Sequence, residues 1–231
     1  MPMTAPVNIT TFGVADLRQQ LNVPRETCEK LEHYVATLLK WQKQINLISP
    51  STVPEIWWRH IFDSAQLYAL LPEKLTASAV TTTPSEGPLS RPLLDLGSGA
   101  GFPALVLAIM GWNDVHMIES NGKKAAFLRQ IIRDLDLQAV VHHGRIEQIS
   151  PFPVSVMTSR ALASLEQLLV YAEGFLQTDT LCLLPKGRTA EDEVAHAARN
   201  WKFNIEKIAS QTDPEGVILK LTQISRRGDR N

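Results

Sequence analysis

The sequence predicts an α/β protein: a mostly parallel sheet with helices on both faces, preceded by an N-terminal helical cap. Three observations predict it. From residue 92 onward, short apolar runs alternate with amphipathic stretches of helical spacing. The first of these runs, 92–96, turns through three alternating glycines, Gly97, Gly99 and Gly101, into an apolar helical pattern at 104–110. The first 70 residues, by contrast, carry helical signals alone.

Taken in order, 14–21 is a short amphipathic helix. Pro24 suits the first turn of the next helix, expected over 25–46. Leu31, Tyr34, Val35, Leu38, Leu39, Trp41 and Ile45 form its buried stripe. Ile48, Ser49 and Pro50 end it. A further helix, or a pair, is expected over 54–71, with Trp57, Ile61, Ala65 and Leu67 facing inward and Trp58 in the cap core. Residues 73–91 are rich in Ser, Thr and Pro and lack periodicity, which reads as a flexible linker. Strands are then expected at 92–96, 114–118, 139–143, 154–158 and 181–185. Helices fall between them at 104–110, 122–137, 162–176 and 190–200. Two last strands, 204–210 and 217–224, are close enough to pair antiparallel. The expected division is a cap at 1–72, a linker at 73–91 and the α/β domain at 92–231. Right-handed crossovers place ligands outside the carboxyl ends of the strands.

Composition narrows the function classes. The chain has 231 residues, 44% hydrophobic, with a net charge of −1. Any binding of nucleic acid must therefore use a local basic patch. No run approaches a membrane span of ~20 apolar residues, and no secretory signal opens the chain. Cys28 and Cys182 stand far apart without a C-x-x-C partner, which suits a reduced, cytoplasmic protein. His142 and His143 lack a ligand-spaced partner, so no metal is expected. Without heptads, the expected state is a monomer.

The chemistry concentrates in residues 92–103, P-L-L-D-L-G-S-G-A-G-F-P. A buried strand that turns on glycines into a helix is a cradle for a nucleotide cofactor, because the backbone approaches the ligand closely. Glu119, twenty residues past Gly99, ends the second apolar run and is placed to bond ribose hydroxyls. The spacing is G-x-G-x-G rather than the dinucleotide G-x-G-x-x-G, and Asp95 precedes it. An acid there disfavours a diphosphate and favours a ligand bringing a cationic amine or sulfonium, as S-adenosylmethionine does. That spacing weighs against a nicotinamide-dependent oxidoreductase.

Further strings accompany the loop: N-L-I at 46–48, R-H-I-F-D-S at 59–64, E-S-N-G-K-K-A-A-F-L at 119–128, R-I-E at 145–147, S-R-A at 159–161 and P-K-G at 185–187. In this order and spacing the chain, from about residue 42 to 224, resembles the RsmG (GidB) family of bacterial 16S rRNA guanine-N7 methyltransferases. The resemblance implies a seven-stranded Rossmann-like class I methyltransferase fold. It implies S-adenosylmethionine as donor and N7 of guanine 527 (rRNA numbering) as acceptor, on 16S rRNA or the small ribosomal subunit. It places cofactor contacts at Gly97 and Phe102, with Gly99 and Gly101 in the same loop, then at Ile146, Glu147 and Arg160. Arg160 is the candidate for orienting the acceptor, with ion pairs to Glu147 or Asp95 as its structural alternative. Guanine N7 carries no proton, so no general base is expected. Candidate RNA contacts are Arg59, His60, Lys123, Arg145 and Lys186; for Arg59, an ion pair with Asp63 one helical turn on is the structural alternative. A non-catalytic rRNA-binding assembly factor on the same fold is the competing function.

Overall fold

A computed structural model describes residue 9, residues 11–72 and residues 92–228. The linker expected at 73–91 lies outside the described residues.

Two helices open the chain, α1 (Val14–Leu21) and α2 (Arg25–Gln42). Pro24 stands at the N-cap of α2, and Leu31, Tyr34, Val35 and Leu38 form its buried face. The helix ends earlier than the periodicity predicts. Gln42 folds back, its Oε1 accepting from the N–H groups of Leu47 and Ile48 and its Nε2 donating to the Ile48 carbonyl. A side chain that satisfies three backbone groups of the following segment ends the helix before the proline does.

The segment expected as one helix or a pair is instead a chain of short turns. A 3₁₀ turn (Pro50–Glu55) leads to a π turn (Trp57–Phe62), one α turn (Asp63–Ala65) and a second 3₁₀ turn (Gln66–Leu70). Pro50 and Pro54 lack the N–H donors that a regular helix needs. The wide π turn carries the R-H-I-F string, and such turns change the phase of the faces that side chains occupy. Ile61, Phe62, Ala65 and Leu67 are buried. Trp58 packs on Phe12 and Phe62, consistent with a place in the cap core.

The seven strands are β1 (Leu93–Leu96), β2 (Val115–Glu119), β3 (Ala139–His143), β4 (Val156–Thr158), β5 (Leu181–Lys186), β6 (Trp201–Ala209) and β7 (Val217–Arg226). They form one sheet in the order β3-β2-β1-β4-β5-β7-β6. The first five strands run parallel, while β7 is antiparallel to both neighbours. The crossover helices are α3 (Ala104–Ile109), α4 (Gly122–Asp134), α5 (Leu165–Ala172) and α6 (Ala190–Ala197).

Strand residues alternate between faces, and two cores result. Leu93, Val115, Met117, Val156 and Leu183 pack with α3, α4 and the cap. Leu94, Ile118, Met157, Cys182 and Leu184 pack with α5 and α6 on the other side. The cap therefore shares a continuous core with one face of the sheet. Removing one such fully buried leucine side chain, for example by Leu31→Ala, costs about 2–5 kcal/mol. The order reverses between β1 and β4, so a crevice opens at their carboxyl ends.

Candidate functional site

The glycine loop leaves β1 and crosses that crevice. Gly97 and Gly99 hold φ of +69° and +58°. A Cβ at Gly97 would meet Leu162, 2.6 Å away, whereas at Gly99 the nearest atom is 3.9 Å off. The loop backbone at Gly99 therefore borders open space, as a cradle requires. Glu119, at the end of β2, sits beneath the loop. Its Oε2 accepts from the Gly99 N–H at 2.7 Å and its Oε1 from the Asn121 N–H at 2.7 Å. Each oxygen keeps a second lone pair.

Asp95 lies on the cap-facing side of β1 and is fully buried. Its Oδ1 accepts from the Thr158 hydroxyl at 2.7 Å, while Oδ2 has no partner among the described residues. Burial pushes its carboxyl up to about 7, against hydrogen bonds and the Arg160 charge. A cationic ligand above the loop would hold Asp95 ionised through its field, without touching it. That unpartnered oxygen and the open wall at Gly99 fit a donor that carries an ammonium and a sulfonium.

A cleft of about 870 Å³ opens above the loop. It brings together Gly97, Gly99 and Phe102 of the loop, Arg59, His60 and Asp63 of the cap, Arg160 after β4 and Lys186 at the end of β5. Gly101, Glu119, Ile146, Glu147, Arg145 and Lys123 are not among the residues lining it. Ile146 packs against the α5–α6 core, and Glu147, Arg145 and Lys123 are exposed.

Arg160 is the hub of the cleft. Its NH1 donates to the Asp63 carboxylate and to the Arg59 carbonyl, each at 3.0 Å. Its NH2 donates to His60 Nδ1 at 2.8 Å. The guanidinium lies 5.0 Å from the Phe102 ring centre, and the His60 ring stacks on the same phenyl ring at 5.0 Å. An Nδ1 that accepts leaves the proton on Nε2, which donates to Thr52 Oγ1 at 2.8 Å. Burial, then the charges of Arg160 and Arg59, push the His60 pKa down to about 3. His60 is therefore a neutral ring and supplies no positive charge to RNA.

Neither alternative ion-pair assignment survives. Arg160 pairs with Asp63 rather than Glu147 or Asp95, and Arg59 contributes its carbonyl while its side chain is exposed. Asp63 directly follows the π turn, and its carboxylate meets Arg160 rather than the Arg59 side chain. Asp63 also accepts from the Thr212 hydroxyl and the Gln66 amide. The β6–β7 turn is thereby tied to the cap, as it is again by Trp58 Nε1 donating to the Thr212 carbonyl at 2.9 Å. Lys186 is likewise occupied, since its ammonium bonds Glu193 at 2.7 Å and the Ala163 carbonyl at 2.8 Å. Burial raises the Glu193 pKa, but hydrogen bonds from Lys186 and Thr189 outweigh it, and the net shift is downward.

Sequence reasoning missed Thr212, Gln66, Thr52 and Glu193, polar residues with no motif around them. It also missed Ala161, which holds φ of +56° beside Arg160 on the cleft wall. A non-glycine residue there is strained, and such strain persists where the surroundings over-determine it. Tyr34 is a further addition, its hydroxyl bracing the glycine loop through the Ala100 carbonyl at 2.6 Å.

Comparison with known proteins bears on this geometry. A family model described as rRNA small subunit methyltransferase G matches residues 27–213. Ribosomal RNA small subunit methyltransferase G of Rhodospirillum centenum is 46% identical over 94% of this chain and 94% of its own length. Its namesake in Paramagnetospirillum magneticum is 44% identical over 93% of this chain and 98% of its own. Among solved structures, a mutant of MtNAS in complex with S-adenosylmethionine shares the fold, with a TM-score of 0.55 at 12% identity, covering 92% of this chain and 84% of that one.

Proposed function

The chain belongs to the rRNA small subunit methyltransferase G family, and we propose that it moves a methyl group from S-adenosylmethionine to N7 of guanine 527 in 16S rRNA. The observation that carries the reading is the family match across residues 27–213, which contains the whole lining of the cleft except Gly216 and Val217. S-adenosylmethionine, when bound, supplies an electrophilic methyl carbon on a sulfonium. Gly97 and Gly99 would cradle it, Glu119 would bond its ribose with the lone pairs left free, and Asp95 would balance its positive charge from below.

The acceptor side follows from guanine chemistry. N7 offers a lone pair and no proton, so rate enhancement rests on holding the base in line. The cleft suits that task. Arg160, His60 and Phe102 form a rigid wall between cap and loop, and the neutral His60 withdraws no proton and adds no charge beside a ring that becomes cationic. Arg160 keeps N–H donors beyond the three it uses, enough to bond an acceptor on the base edge. The exposed Arg59, Lys123 and Arg145 would meet RNA phosphate. A base splayed from a single-stranded loop would enter the cleft. Among the described residues no helix is long and apolar enough to cross a membrane. The working form is read as a monomer in the cytoplasm, with the cap at 1–72 and the methyltransferase domain at 92–231.

The test is transfer of labelled methyl to small subunits from a strain lacking this gene. Label recovered as 7-methylguanosine at one guanine is the expected result. Donor binding without any label in RNA would favour a non-catalytic assembly role and overturn the reading.

A further inference from the structure

Helices α2 and α4 pack against each other. Trp41 Nε1 donates to Gln130 Oε1 at 3.0 Å, Trp41 meets Phe127 with ring centres 5.8 Å apart, and His33 lies 3.7 Å from Asp134. Tyr34 stacks on the same Phe127 ring, 6.3 Å away, so Phe127 lies between Tyr34 and Trp41. The C-terminal half of α2 therefore lies beside the middle of α4, and Gln42 at its end holds Leu47 and Ile48 through their N–H groups. Lys40 and Lys43 are exposed at the C-terminal end of α2, and Lys123 at the start of α4. Lys124 and the adjoining Leu47 and Ile48 line the cleft, so this end of the helix pair borders its mouth.

Charge is segregated along the pair. None of these four lysines makes an ion pair or a side-chain hydrogen bond among the described residues, whereas Lys30, Lys186, Lys207 and Lys220 each face a carboxylate. The acids of α2, Glu26, Glu29 and Glu32, occupy its opposite half, and Asp134 sits at the far end of α4. In a chain of net charge −1, unpaired cations gathered at one cleft mouth form a local polyanion site.

We propose that Lys40, Lys43 and Lys123 form a track for the phosphodiester backbone of the RNA, gripping the strand that flanks the base inserted in the cleft. The inference rests on the reading of the protein as an RNA methyltransferase. Its partner is single-stranded or looped RNA, recognised through phosphate charge rather than base identity.

The test combines Lys40→Ala, Lys43→Ala and Lys123→Ala in the full chain. The control removes the same charge by Lys202→Ala, Lys207→Ala and Lys220→Ala on β6 and β7, at the sheet edge opposite the β3 edge that α4 covers. Binding to a labelled RNA stem-loop with one unpaired guanine is measured between 50 and 200 mM salt, roughly the range over which phosphate contacts are lost. Donor affinity is measured separately by calorimetry. The track variant is expected to bind RNA about tenfold or more weaker at low salt, with a log–log salt slope reduced by about 2. Donor affinity stays unchanged, and the KM for small subunits rises with kcat kept. Equal RNA affinity and slope in variant and wild type, with wild type still methylating, would overturn the track and leave the enzyme reading intact. A matching loss in the control would reduce the effect to bulk charge and overturn it too. Unchanged RNA binding with lost binding to intact subunits would assign the surface to a ribosomal protein instead. A wild type that neither binds the stem-loop nor methylates subunits would overturn the enzyme reading itself.

Discussion

The basic residues inside the cleft and those at its mouth share a charge and nothing else. Inside, Arg160 and Lys186 are 19% and 9% exposed and are each paired with a carboxylate, Asp63 and Glu193. At the mouth, Lys40, Lys43 and Lys123 are exposed and have no carboxylate partner among the described residues. Interior cations build the site: each ties an element from one part of the chain to an element from another. Cations at the mouth contribute little to the fold and remain available to a polyanion. Position decides the role, because a partly desolvated charge must be paired while a solvated one need not be.

The sharpest way to break this contrast is at the cleft floor. Gly99→Val places a branched side chain at φ +58° on the open side of the loop, and donor affinity is expected to fall by about a thousandfold or more. Unchanged affinity by calorimetry would mean that the ligand does not lie over Gly99. Next comes the latch. Asp63→Ala leaves the Arg160 guanidinium, Thr212 and Gln66 without their shared acceptor and is expected to cost about 3 kcal/mol in urea unfolding. A loss below about 0.5 kcal/mol, the range of ordinary surface changes, would show that the latch is dispensable. Lys186→Ala is expected to cost about 2 kcal/mol by stranding Glu193. RNA affinity should barely move, and a larger effect on RNA than on stability would return Lys186 to phosphate binding.

The pH response separates two interior groups. His60 is held near pKa 3 against 6.5 unfolded, so its contribution is present above pH 6.5 and is lost as pH falls toward 3, at about 1.4 kcal/mol per unit. Asp95 is raised to about 7 from 3.8, so its contribution is present below 3.8 and is lost as pH rises toward 7. Between about pH 4 and 6.5 the two slopes oppose each other. His60→Gln should therefore gain stability relative to wild type as pH falls from 6.5 to 5, read from urea midpoints at each pH. Parallel curves for the two proteins would show that His60 does not titrate in this way. Smallest of all, single alanines at Lys40 or Lys43 should change stability by no more than about 0.5 kcal/mol.

Much of this was legible in the sequence. The glycine loop, the alternation of strands and helices and the two final antiparallel strands rest on periodicities spanning a few residues, and the sheet reproduces them within a few residues at each end. R-H-x-x-D and S-R-A both lie on the cleft wall. Their meeting was not legible. Asp63 and Arg160 are 97 positions apart and Asp63 and Thr212 are 149 apart, and no local pattern encodes such pairs. The turns over 50–70 also defied helical spacing, because prolines and a π turn shift the phase from which faces are read.

The chain by itself determined the elements, their order and the loop on which a cofactor can rest, since backbone propensity and apolar periodicity act over neighbouring residues. Only the tertiary structure decided which charges are paired and which are free. Burial and the approach of distant side chains depend on how the cap, the β4 loop and the β6–β7 turn close around one cleft.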